Sequence, residues 1–202
     1  MARKSNTKAR RAQIVNALHS LLGELGYDGA SVSAIAKRAE LAPGLVHYHF
    51  GNKEEILLAV VVRLAEQLRA RQETLLGESR GVDPWRDLDA WIDAHLALGD
   101  GADPSSVAAW VAIGAEALRK PAVRAAYEAA VARDLDRGEE LVAAVLAARA
   151  DVTTPARTLA TGILAAIEGS YRLAAAAPSA IEPGFAAPTV RAMARGLLGN
   201  AG

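Results

Sequence analysis

The sequence predicts an all-α protein of about nine helices, with a small N-terminal head of three helices and a larger helical body. Three observations lead there. Alanine and leucine dominate a chain that is 51% hydrophobic but only 4% aromatic, and the β-branched and aromatic residues that favour strands are sparse. Apolar residues recur three and four apart along most of the 202 residues, which is the spacing of one helix face. Glycine and proline gather in short clusters that cut this pattern into lengths. The expected division is a head of residues 1–52 and a body of residues 53–202.

In the head, Ile14, Leu18, Leu21 and Leu25, with Val15 and Leu22 beside them, form the apolar face of a first helix running from Lys8 to Leu25. Gly26 ends it, because glycine enters the left-handed cap conformation without steric cost. Ser31 should cap a second, short helix carrying Val32, Ile35, Ala36 and Ala39 inside and Lys37 and Arg38 outside; its hydroxyl can accept from a free amide of the first turn. A break at Glu40-Leu41-Ala42 follows. Pro43 then starts a third helix of barely two turns, since proline at the first helical position sacrifices no hydrogen bond. Gly51-Asn52 is a turn, and Lys53 opens a long amphipathic helix through Ile56, Val60, Leu64, Leu68 and Leu75.

The body has breakers at 81–84, 99–104, Pro121, 154–155 and 178–184, leaving five further helices. Trp85 to Leu98 should bury Leu88, Trp91, Ile92 and His95; Ser105 to Lys120 should bury Val107, Trp110, Val111, Gly114 and Leu118, with Glu116 in solvent. A longer helix runs from Pro121 to about Ala148. Thr158 to Ala177 and Phe185 to Leu198 close the chain with wide alanine-rich faces that allow close helix approach, and they are candidates for a subunit interface.

Composition narrows the chemistry. With no cysteine, disulfides, thiolate zinc sites and a cysteine nucleophile are all excluded, in keeping with a reducing cytoplasm. The longest apolar runs, ILLAVVV and LATGILAAI, fall far short of the roughly 18 residues of a membrane span, so the expectation is a cytoplasmic protein without a membrane partner. Net charge is zero but unevenly spread: up to Asn52 there are seven basic residues against three acidic ones (+4), and beyond it 16 against 20 (−4). A basic head on an acidic body suggests that one end approaches a polyanion.

The stretch LAPGLVHYHFGNKEE, residues 41–55, carries the head's polar chemistry. Two histidines two apart on a helix point about 200° from each other, so His47 and His49 cannot close on one metal ion. No G-x-S-x-G elbow is present to support a serine hydrolase. No catalytic group, metal or cofactor is therefore expected. Two short helices around a tight turn, the second beginning at a proline, match a helix-turn-helix, whose second helix enters the major groove of duplex DNA. Pro43 and Gly44 would lie at its leading end, where Gly44 lets the backbone come close and Pro43 and Leu45 can meet thymine methyl groups. His47 and Tyr48 face outward to phosphates or base edges, His49 is shared between a phosphate and a structural hydrogen bond, and Phe50 is core. Lys53 is a point charge for phosphate. Ser33 and Lys37 on the second helix and Arg3, Lys4 and Lys8 in the N-terminal arm complete the expected DNA contacts.

The run SVSAIAKRAELAPGLVHYHFGNKEEILLAVV, preceded by IVNALHSLLGELGYDGA, resembles the DNA-binding domain of the tetracycline-repressor (TetR) family. Gly26-Tyr27, Ile35-Ala36, Tyr48-His49-Phe50 and Lys53-Glu54 carry the likeness. The chain departs from the family pattern at Glu40, where glycine is usual, at Ala42, where a hydroxyl residue usually caps, at Leu45, often polar, and at His47, often a phosphate-binding tyrosine. More weakly, WVAIGAEALR (Trp110 to Arg119) and Ile167-Glu168-Gly169 make the body similar to the branch of choline-responsive repressors of betaine synthesis. The resemblance implies a homodimer formed through the last two helices, a palindromic double-stranded DNA operator, and repression relieved by a small-molecule effector held in the body.

Trp85, Trp91 and Trp110 all lie in the fifth and sixth helices, and Trp91 and His95 are one turn apart. With Trp110 and Tyr171 they are the candidate effector pocket: an aromatic wall beside a titratable group suits a small ligand, even a cation. More often such residues are simply core. Two rival functions stay open on sequence: an all-α small-molecule carrier or enzyme with a degenerate helix-turn-helix, and an interaction module that pairs with another regulator.

Overall fold

The computed structural model describes residues 2–77, 80–96, 103–150 and 155–199, and side chains from Thr7 onward. Among them are nine α-helices and no strand: α1 Ala2–Gly29, α2 Val32–Arg38, α3 Pro43–His49, α4 Lys53–Leu76, α5 Pro84–Leu96, α6 Pro104–Ala117, α7 Pro121–Ala148, α8 Ala156–Ala176 and α9 Ala186–Gly199, with a 3-10 turn at Pro178–Ala180 before α9. No helix among them is long and apolar enough to cross a membrane. The expected end of the fifth helix at Leu98, the breakers at 99–102 and the one at Thr154 lie outside the described residues.

Local chemistry sets the helix starts. Asn52 accepts from the Glu55 amide (2.9 Å) while the Glu55 carboxylate reaches back to the Gly51 amide (3.0 Å), a reciprocal cap of the free donors at the head of α4. Asp83 and Asp103 accept from Trp85 and Ser105 amides at 3.0 Å each, and Pro84 and Pro104 follow them as the first helical residues, so α5 and α6 begin one residue earlier than the apolar pattern suggests. Gly26 has φ 66° inside α1, so the helix breaks there and only a last turn, Tyr27–Gly29, continues. Leu25, expected inside, is 53% exposed at that break.

The chain divides by packing into two compact units, Met1–Ala65 with Asp103–Ala130, and Glu66–Ala102 with Val131–Gly202. In the first, Ile14, Leu18, Ile35, Val46, Phe50, Ile56, Leu57, Val60, Ile113 and Val123 form one core. α1 and α6 meet closely: a Cβ on Gly23 would lie 3.3 Å from that of Ala108. His19 is buried at this seam, its Nε2 3.2 Å from the Ser106 hydroxyl and 3.9 Å from the Asp103 carboxylate that caps α6. Burial lowers the pKa of His19, and Arg63 adds to this against the opposing pull of Asp103.

The α6 face differs from expectation. Ala109, Ile113, Glu116 and Ala117 are buried, whereas Val107, Trp110, Val111 and Gly114 are half-buried and Leu118 is 75% exposed. Glu116, expected in solvent, is inside, with Arg119 at 3.0 Å and Lys120 at 3.6 Å neutralising it. The helix is apolar nearly all round, so periodicity had no polar stripe to work against, and the only charge on it is a buried one.

In the second unit Leu88, Trp91, Ile92, Val142, Val145, Ile163, Ile167 and Leu198 form a separate core. Trp91 packs against α7 at Gly138, where a Cβ would come 2.9 Å from the indole. Arg191 and Arg195 of α9 pair with Asp93 and Asp89 of α5, and Arg157 of α8 pairs with Asp136 and Glu139 of α7 at 2.9 and 2.6 Å. At the end of α4, Leu76 is buried and Leu75 is 39% exposed, one position off the expected stripe.

Candidate nucleic-acid interface

α2 and α3 form a helix-turn-helix whose geometry follows from single residues. The Ser31 hydroxyl accepts from the Ala34 amide at 3.1 Å. At the other end of α2 the Glu40 amide donates to the Lys37 carbonyl (3.2 Å) and the Leu41 amide to the Ala36 carbonyl (2.9 Å), the paired bonds of a Schellman turn. That motif needs a left-handed residue, and Glu40 occupies it at φ 52° with a side chain that glycine would spare. Gln13 of α1 donates to the Ala39 carbonyl at 2.6 Å, fixing the turn to the first helix. Ala42 supplies no side-chain cap, and Pro43 opens α3.

On α3, Val46 and Phe50 are 1% and 2% exposed and face the core, while Leu45 and Tyr48 are 43% and 72% exposed. Pro43, Gly44 and His47 are exposed as well, and nothing lies within 4 Å of a Cβ placed on Gly44. His49 is half-buried and meets the Tyr48 ring edge-on at 5.1 Å. The histidines thus part company, and among the described residues no three His, Asp or Glu gather to hold a metal. Ser33 and Lys37, one turn apart, are exposed on α2, and Lys8 on α1. Arg38 is engaged instead, by Glu24 at 2.6 and 2.8 Å and by Ser20. The side chains of Arg3 and Lys4 lie outside the described residues.

Lys53 is only half-exposed. Its ammonium donates to the Tyr27 carbonyl at 2.8 Å and sits 4.0 Å from the centre of the Tyr27 ring, which Lys120 also approaches at 5.0 Å. Burial lowers its pKa, against the opposing pull of Asp28 and Glu116.

Of the four pocket candidates, three come together in the second unit. His95 Nδ1 is 2.8 Å from the Tyr171 hydroxyl and its Nε2 is 3.0 Å from Asp134; Trp91 and His95 meet edge-on at 5.4 Å. The other Asp134 oxygen accepts from the Trp91 indole (3.0 Å) and from Gln72 (2.9 Å). Burial pushes the Asp134 carboxyl up, but His95, Trp91 and Gln72 outweigh it and hold the group below the usual carboxylate range. Trp110 belongs to the first unit, where it stacks on Tyr127 at 4.6 Å. Sequence reasoning missed Asp134 and Gln72: both sit among polar residues on long helices and read as solvated.

A basic head with a Schellman-turned α2–α3 pair and an exposed α3 is a helix-turn-helix of the DNA-binding class. The chain matches the family of bacterial regulatory proteins of the tetR type over residues 14–60. It is 32% identical over 115 residues to the HTH-type transcriptional regulator BetI of Rhizobium meliloti, covering 57% of this chain and 55% of that one; the match spans about half the length of such curated relatives. Two solved structures share the whole fold: a TetR-family transcriptional regulator from Rhodococcus sp. (TM-score 0.78, 18% identity, 94% of this chain and 98% of that one) and a transcriptional regulator from Saccharomonospora viridis in complex with choline (TM-score 0.77, 20% identity, 96% and 97%).

Proposed function

We propose that this chain is a ligand-responsive transcriptional repressor that acts as a homodimer on a palindromic operator. The observation that carries the reading is the exposed surface of α3, Pro43, Gly44, Leu45, His47 and Tyr48, on a head matched to the tetR family. Bound in successive major grooves about 34 Å apart, two such helices would read two half-sites, with Ser33, Lys37, His49, Lys53 and the arm residues Arg3, Lys4 and Lys8 toward the phosphates. Residues 1–52 would then be the DNA-binding domain and 53–202 the effector and dimerisation domain, working in the cytoplasm with the DNA.

Dimerisation through α8 and α9 is supported by Leu173, Met193 and Leu197, each close to half exposed, and by open space around Gly162, Gly169 and Gly196. The effector reading rests on Trp91, His95 and Tyr171 around an ionised Asp134. A largely buried carboxylate, 13% exposed, among aromatic rings suits a small organic cation, and a neighbour of the same fold is complexed with choline. Such a cation would compete with His95 for Asp134 and favour a conformer unfit for the operator, which requires that it bind that conformer better.

Selection of duplexes from a random pool by the full chain tests the reading. The expected product is an inverted repeat with half-sites one helical turn apart, bound as a dimer in sedimentation and released by choline or a related quaternary ammonium. A pool that stays random would contradict it.

A further inference from the structure

Arg11 of α1 is solvent-exposed, yet its guanidinium is committed at two points. It lies over the Phe50 ring, 3.9 Å from its centre, and its Nη1 donates to the His49 carbonyl. Those are the last residue of α3 and the residue that caps it. α3 is seven residues long and has no side-chain cap at its other end, so Val46 and Phe50 hold it to the core and Arg11 holds its trailing end to α1. A planar, five-donor guanidinium can cover a ring with its face while donating from its edge, a geometry that the point charge of a lysine ammonium does not reproduce.

We propose that Arg11 is a positioning residue for DNA recognition: it sets the angle of α3 on α1, and with it the reach of His47 and Tyr48, without itself pairing with a phosphate. The inference rests on the DNA-reading function proposed above. It makes a specific demand, that the arginine matter for sequence discrimination and not for the electrostatic part of binding. A residue that neutralises a phosphate does the reverse, because that part is blind to sequence and appears in the salt dependence.

The test compares the full chain with its R11K and R11M variants on two probes: the duplex that the wild type enriches from a random pool, and a scrambled duplex of the same composition. Binding is measured from 50 to 200 mM salt (about the range over which phosphate contacts weaken binding steeply). R11K is expected to bind the enriched duplex about tenfold more weakly. Its affinity for the scrambled duplex and its salt slope should match the wild type, and R11M should show the same loss of discrimination. Circular dichroism with thermal melts confirms folding at the assay temperature, and R11K, which keeps charge and stem, serves if R11M does not fold. Wild-type discrimination in R11K, or an equal loss on both duplexes with a salt slope shallower by about one, overturns the proposal and leaves the DNA reading intact. A wild-type chain that enriches no duplex overturns both.

Discussion

Glu40 and Ala42 stand three and one residues before α3, and each forgoes a local stabilisation that a different side chain would supply. Glu40 is held at φ 52°, a region that costs a residue with a Cβ roughly 1–2 kcal/mol; glycine recovers this but gives back part through the unfolded chain. Glu40→Gly should therefore raise stability by about 0.5–1 kcal/mol, and Ala42→Ser, by capping α3, by about 1 kcal/mol, both read as shifts of the urea midpoint. His19 carries a pH dependence with a definite sign. Its folded pKa lies below the ordinary 6.5, so the unfolded chain takes up the proton first and stability falls as the pH drops below about 6.5. Above that value His19 is neutral in both states and contributes no slope. His19→Gln should flatten the acid side of the profile of urea midpoint against pH between about 5 and 8, leaving the alkaline side as it was.

At the scale of elements, α6 is the sharpest case. Its buried stripe runs through Ala109, Ile113, Glu116 and Ala117, so Ile113→Ala should cost about 2–4 kcal/mol, while Leu118→Ala, at 75% exposure, should stay within about 0.5 kcal/mol; chemical denaturation of the two variants checks it. The sequence-based face would have assigned the larger cost to Leu118. The contrast with α2 and α3 shows what makes an element legible. Ser31, Pro43 and the alternation of Val46 and Phe50 with exposed neighbours are local signals, and each acts within a turn of where it stands. α6 offers no such contrast, since only the tertiary seam with α1 decides which of its apolar faces goes inside. The same holds for Asp134, whose neighbours Arg133, Asp136 and Arg137 are mostly solvent-facing or half-buried and hide the one carboxylate that turns inward to Trp91 and His95. Lys53 was legible as a cation beside α3; its bond to the Tyr27 carbonyl depends on where the Gly26 break turns the end of α1, which spacing alone does not give.

For the whole molecule, the asymmetry of charge, the α2–α3 geometry and the tetR match over residues 14–60 support the proposed DNA-reading role of the head, and the Asp134 cluster supports the proposed cation site of the body. Discrimination should reside in exposed residues that leave the fold untouched. Tyr48, 72% exposed, is the clearest, since its removal deletes no core contact. The most direct measurement is a fluorescence-anisotropy titration of the wild type and of Tyr48→Ala against the enriched duplex and its scrambled counterpart at about 150 mM salt. The wild type should favour the enriched duplex by about a thousandfold or more, and Tyr48→Ala should lose at least tenfold on that duplex, about 1.4 kcal/mol, with an unchanged thermal midpoint. Equal wild-type affinity for the two duplexes would contradict the account.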